Sequence, residues 1–380
     1  MKFLKTIYFA LVFSTSFFAF TKIFAQDNSS FPKFADVVNQ HFNEWDKNGD
    51  GVLSKDEVFA AMGNSKVRGE VAAAITAISE GIRNDKHHLP PITKEYLLSS
   101  SPNKKLLNSD GQADDEDSNS SGESFPFQAK YKNAIQKIRA ASRELLPQGS
   151  PSFEATHQDA IGDCPFVSTV GAMVYRNPAA VKRLFTQSAD GSTTVNLGNG
   201  QNIKITHITD SDIALFSSAG TNGLWFTILE KAYRRVVATK EHPDKSIYER
   251  FGSVETIEIL IGYKTEGFSL KKIRGNPAQL SELRNELVAA RKGNRLIQAR
   301  TPPKTSVPAM TPSHAYAILG YDKKTDVCHV WNPHGNNFTP KGSDGLQNGY
   351  TTSRGEFDIS LKDLIQIFDD VQIETKDKVR

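Results

Sequence analysis

Apolar residues recur along this chain with two distinct periods, and the change of period divides it. Phe34, Val37, Val38, Phe42 and Trp45 fall at spacings of one, three and four, and Val58, Phe59 and Met62 resume after a polar gap. Both runs predict amphipathic helices. Tyr131, Ala134, Ile135, Ile138 and Leu145 predict another over 128–145, which Pro147-Gln-Gly-Ser-Pro151 ends. Pro165, a residue favoured at a first helical turn, precedes Phe166, Val167, Val170, Ala172, Met173 and Val174, apolar on nearly every face. This pattern predicts a buried helix with Cys164 at its N-terminus. Residues 315–319 and 327–331 are short continuous apolar runs that read as buried strands. Helices followed by strands give an α+β class.

The polar gap after Trp45 carries chemistry. Asp46, Asn48 and Asp50 stand at positions one, three and five of a twelve-residue calcium loop, and Gly51 stands where the sharp turn falls. Val52 would lend its carbonyl, Ser54 would act directly or through water, and Glu57 would close the shell with both oxygens. With its flanking helices this is an EF-hand; the bland alternative is a polar Asp-Gly turn between helices. EF-hands pair, and a decayed partner follows if Asp85 is aligned with Asp46. Ile92 then falls where Leu53 sits, but His87, Leu89, Pro90 and Tyr96 replace the ligands and the turn glycine. That loop is expected to hold the lobe together without calcium; a simple turn between helices is the other reading. Residues 100 to about 125 are rich in Ser, Asn, Asp and Glu, too polar to fold alone, and read as a linker.

The N-terminus has the grammar of a signal peptide: Lys2 and Lys5, an apolar run over 7–20, and Ala25 at the expected cut. Export to a secreted or periplasmic location is the expectation, with an uncleaved anchor as the alternative. Once the peptide is removed, no segment approaches membrane length. Among 380 residues, 46 Lys and Arg nearly balance 43 Asp and Glu, and the excess arises from Lys2, Lys5 and Lys22. No nucleic-acid or membrane-surface bias follows. The organisation expected is a signal peptide (1–25), an EF-hand lobe (26–99), a linker (100–127), a helical part (128–252) and a β-rich part (253–380).

Two cysteines, Cys164 and Cys328, admit one disulfide in an exported chain. A free thiol at Cys164 fits better, because a helix N-terminus favours thiolate. Cys328 reads as a small apolar filler in a strand. His314 opens one apolar strand and Asn332 closes the other, so they supply a base and an amide to orient it. Gln158 would present its amide to an oxyanion beside the Cys164 N–H. The order Gln, Cys, His, Asn, with about 150 residues between Cys and His, is that of papain.

The chain resembles the calpain-type cysteine proteases in Gln158-Asp-Ala-Ile-Gly-Asp-Cys164 and in Gly223-Leu-Trp-Phe-Thr-Ile-Leu-Glu-Lys-Ala-Tyr233. His314-Ala-Tyr, Asn332-Pro-His-Gly335 and Gly355-Glu-Phe357 extend the resemblance, which covers roughly residues 128–380. It implies a papain-like core of two subdomains, a helical one with Cys164 and a β-rich one with His314 and Asn332, acting on polypeptides. Three departures stand out. Pro165 and His334 occupy places where such enzymes usually carry tryptophan, and the second change is expected to remove an aromatic shield over the His–Asn bond. The acidic residues of the family's own calcium sites are largely missing, leaving Glu154 alone near Ala155. His334 is also a competing base. The leading expectation is an exported endopeptidase with calcium held by its EF-hand. An inactive calcium-binding scaffold and a papain-fold acyl transferase are the rivals.

Overall fold

The structure is a computed structural model that describes residues 32–99, 125–241, 245–249, 251 and 255–379. The expected signal peptide and nearly all of the expected linker lie outside them.

Helix α1 (Phe34–Trp45) buries the five residues whose spacing predicts it. Helix α2 (Lys55–Gly63) starts at a capping box in which Ser54 and Glu57 exchange side-chain and backbone bonds, and it buries Val58, Phe59 and Met62. Alanine-rich α3 (Gly69–Ile82) is buried over most of its length, and α4 (Lys94–Ser99) follows. The two loops meet where the sequence alignment puts them: Leu53 N–H donates to the Ile92 carbonyl at 3.0 Å, and Val52 and Thr93 form an antiparallel bridge.

Helix α3 is sheathed because it packs on both sides. It touches α1 and α2, and also α5 (Phe127–Ala140) and a later helix, α8 (Asp210–Leu215). Phe127, at the end of the expected linker, stacks on Phe34 at 5.5 Å. Asp210 accepts the Gly69 N–H at 2.8 Å, and Lys130 pairs with Glu80 at 2.8 Å. The described residues from Lys33 onward therefore form one compact unit. Helix α5 stops at Ala140, five residues short of the sequence expectation. Beyond it, the Ser142 N–H is taken by the Gly220 carbonyl, while the Glu144 and Leu145 carbonyls accept N–H groups of Leu224 and Trp225. Those long-range bonds outcompete the helical ones that the apolar spacing suggested.

Helices α6 (Cys164–Arg176) and α7 (Pro178–Lys182) lead into a three-stranded antiparallel sheet of β1 (Phe185–Gln187), β2 (Thr193–Asn196) and β3 (Asn202–Ile205). Helices α8, α9 (Trp225–Glu241) and α10 (Thr256–Ile261) follow. The last part alternates β4 (Tyr263–Ser269), α11 (Leu270–Ile273), α12 (Pro277–Lys292), β5 (Ile297–Arg300), β6 (Ala315–Asp322), β7 (Val327–Trp331), β8 (Glu356–Ser360), α13 (Leu361–Ile367) and β9 (Asp370–Lys378). Its strands form one antiparallel sheet in the order β4-β9-β5-β6-β7-β8. Strand periodicity sorts its two faces. Leu296, Ala317, Leu319 and Trp331 join the core built by α6 and α9. Ile297, Ala299, Tyr316, Ile318, Cys328 and Val330 join a second core under α11, α12 and α13. The mixed helix-and-sheet class agrees with the α+β expectation.

Candidate active site

Helix α6 is pressed onto the sheet at a place only glycine permits. A Cβ on Gly171 would lie 2.2 Å from the Trp331 ring. At the same interface Gln298 donates from Nε2 to the Pro165 carbonyl, Ser168 Oγ and Thr169 Oγ1 at 2.9 to 3.1 Å. These contacts bring the first turn of α6 against the ends of β6 and β7, and with it three of the residues singled out from sequence.

Cys164 is partly exposed, is not disulfide-bonded, and receives the Ala315 N–H on Sγ at 3.3 Å. It lines a cleft of about 370 Å³ together with Gly162, Ser313, His314 and Arg300. The helix dipole at the start of α6 and the Ala315 donor both favour a thiolate. Cys328, fully buried in β7, has its thiol pushed up by burial and stays in the protonated form.

His314 is 5% exposed and Asn332 2%. His314 Nε2 and Asn332 Oδ1 are 2.9 Å apart. The proton's place follows from the rest of the network. Asn332 Oδ1 also accepts the His334 backbone N–H at 3.0 Å, and its Nδ2 donates to Asn336 Oδ1 at 3.1 Å. With the amide oriented by those bonds, Nε2 must be the donor and Nδ1 carries the free lone pair. Gly355, at φ +83°, lets the chain close over this turn, where a Cβ would meet the Asn332 carbonyl at 2.2 Å. Asn332 N–H in turn donates to the Gly355 carbonyl at 2.8 Å.

His334 changes the sequence expectation of a lost shield. Its own ring stacks on His314, with centroids 4.1 Å apart and planes 29° from parallel, while the Tyr316 ring stands edge-on at 5.1 Å. An aromatic surface is thus kept, but one that carries charge when protonated. Burial holds the His314 imidazolium well below the ordinary histidine range, the neighbouring His334 adds to that, and the Asn332 bond opposes both.

Gln158 stands beside this turn, its backbone N–H bonded to the Pro333 carbonyl at 2.8 Å, with its side-chain Oε1 buried and without a hydrogen-bond partner. It does not line the cleft. Sequence reading missed the buried charges beneath the nucleophile: Asp163, Glu230 and Arg234 are all at least nine-tenths buried. Burial raises both carboxyls and Arg234 opposes it. Glu230 and Arg234 belong to α9, whose Leu-Glu-Lys-Ala-Tyr run was legible only as a motif.

Residues 130–375 match the sequence profile of the calpain family of cysteine proteases. The chain belongs to that family. No curated protein is similar enough to the chain to count as a match. Membership makes it a cysteine protease by class, a hydrolase whose substrates are polypeptides.

The loop after α1 joins it to α2 in the helical lobe. Its carboxylates hold the loop's own N–H groups. Asp46 accepts Gly49 and Gly51, Asp50 accepts Val52, and Glu57 accepts Lys47, Asn48 and Ser54, all within 3.2 Å. These bonds hold Glu57 ionised, down to about 2. Among the described residues, no three His, Cys, Asp or Glu side chains gather into a metal-holding group. The donor set is all hard oxygen, as calcium requires; the Asp46 and Asp50 oxygens each accept one bond and keep a second lone pair, whereas both Glu57 oxygens already accept two, bonds that a bound ion would replace. No helix among the described residues is long and apolar enough to cross a membrane.

Proposed function

We propose that this calpain-family protein is an endopeptidase that works through Cys164, His314 and Asn332, on a papain-like core of two subdomains. His314 Nδ1 takes the Cys164 proton, and the thiolate attacks the scissile carbonyl carbon. The Cys164 N–H faces the oxyanion, and the Gln158 amide is its second donor once that side chain turns into the cleft from beside the Asn332 turn. The imidazolium returns its proton to the leaving amine, the C–N bond breaks, and water, deprotonated by His314, releases the acyl group. Asn332 holds the ring in the tautomer that leaves Nδ1 basic.

The observation that carries this reading is the pair of bonds at 2.9 and 3.3 Å, His314 to Asn332 and Ala315 N–H to Cys164 Sγ, at the cleft that Cys164, His314 and Ala315 line. Incubating an unfolded protein with the wild type and with Cys164→Ala tests it. Cleavage by the wild type alone is expected; equal cleavage by both removes the thiol mechanism.

Calcium binding by Asp46, Asn48, Asp50, Val52, Ser54 and Glu57 belongs to the same proposal. It is supported by the loop's ligand chemistry, by the Leu53–Ile92 pairing of two EF-hand-like loops, and by Gly51 at φ +81° where the turn needs it. Export is proposed from the N-terminal pattern of charge and apolar run.

A further inference from the structure

The loop that delivers Cys164, residues 158–163, contains no helix or strand. Such a segment keeps a defined path only if its polar groups are tied from outside. Asp159 is tied by the Ser218 N–H at 3.1 Å and by Lys137 at 3.0 Å. The next two carbonyls, of Ala160 and Ile161, both accept from one guanidinium, that of Arg83. Gly162 then turns at φ +71°, and Asp163 caps α6 with its carbonyl on the N–H groups of Phe166 and Val167.

Arg83 does not come from the protease core. It is the residue directly after α3 in the helical lobe, it is 3% exposed, and its N–H continues the α3 ladder by donating to the Ser79 carbonyl at 3.0 Å. Its charge also acts on Asp163, which faces Glu230 and Arg234. Two carboxyls and two guanidiniums therefore meet under the N-terminus of the Cys164 helix, with one of the four supplied by the lobe.

We propose that Arg83 is a positioning residue for the reaction: the helical lobe, through this one side chain, sets the peptide path of residues 160–163 and balances the buried charge beneath Cys164. The inference rests on Cys164 being the nucleophile. Without Arg83, the carbonyls of residues 160 and 161 lose a charge-assisted donor and the acidic pair loses one of its two cations. The Cys164 N–H then drifts from the place where an oxyanion forms, and negative charge grows beside a thiolate.

The test uses the full chain with Arg83→Gln, which keeps a donor but no charge, and Arg83→Lys, which keeps the charge but not the fork. Readouts are kcat and KM on an unfolded protein, the pH profile of iodoacetamide alkylation at Cys164, and Tm. For Arg83→Gln, kcat is expected to fall roughly 10- to 100-fold with KM little changed, and the alkylation profile to move to higher pH. Arg83→Lys is expected to restore the alkylation profile while recovering kcat only in part. A lowered Tm with kcat and alkylation unchanged in both variants assigns Arg83 a purely structural role and overturns the inference. A wild type that neither cleaves nor shows enhanced Cys164 alkylation instead removes the nucleophile reading itself.

Discussion

Replacing Asn332 by Ala probes the geometry of the base. The His314 Nε2–Asn332 Oδ1 bond is 2.9 Å long, both residues are buried, and the donor is cationic when His314 is protonated. A hydrogen bond to a charged group contributes about 1.5–3 kcal/mol. If that bond is present in the transition state, its loss lowers kcat/KM by roughly 10- to 100-fold, since about 1.4 kcal/mol is a factor of ten. A pH signature accompanies the loss. Burial and His334 depress the proton affinity of His314, and the Asn332 bond is the influence that raises it. Deleting it lowers that affinity further, so the imidazolium that protonates the leaving amine is lost at lower pH. The alkaline limb of kcat/KM is therefore expected to move to lower pH in Asn332→Ala. The assay is kcat/KM on an unfolded protein across pH, with Tm recorded to exclude unfolding. A variant with wild-type kcat/KM and an unmoved alkaline limb would refute the tautomer argument.

Other consequences are checked separately. His334→Phe keeps a ring over His314 but deletes the like charge at 4.1 Å; the His314 titration followed by NMR is expected to move to higher pH, and an unmoved titration would show stacking without electrostatic coupling. Gly171→Ala drives a methyl into Trp331 and is expected to destabilise the fold by about 1–3 kcal/mol in urea unfolding; no change would mean that α6 and β7 are less tightly packed than described. Glu57→Gln removes the proposed bidentate ligand, so calcium should raise the Tm of the wild type and scarcely that of the variant, whereas equal shifts would place the ion elsewhere.

Legibility in the sequence followed locality. Helices α1 and α2 were readable because each buries one stripe set by spacing within a few turns. Cys164, His314 and Asn332 were readable because each sits at an element boundary that its own neighbours mark: Pro165 and an apolar helix, an apolar strand beginning at Ala315, and a strand ending at Trp331. The end of α5 at Ala140 was not, because backbone groups of residues 220–225 compete for its last turn. Gln298, Arg83 and the Asp163–Glu230–Arg234 group were missed for the same reason. Each is an ordinary polar residue in its local context and gains meaning only from a partner far along the chain. A glutamate and an arginine four residues apart, Glu230 and Arg234, amid the apolar positions of α9 were the one available hint, since charges on a buried face need partners. His334 was legible as a substitution, but its effect was not, because only the fold shows its ring lying on His314.

The most direct test of the Cys164 mechanism is acid quench during turnover of a peptide ester, followed by mass spectrometry of the protein. A thioester-linked acyl group on Cys164, absent in Cys164→Ala and reduced in His314→Ala, is the expected result. Steady turnover with no acyl group on Cys164, persisting in Cys164→Ala, would contradict it.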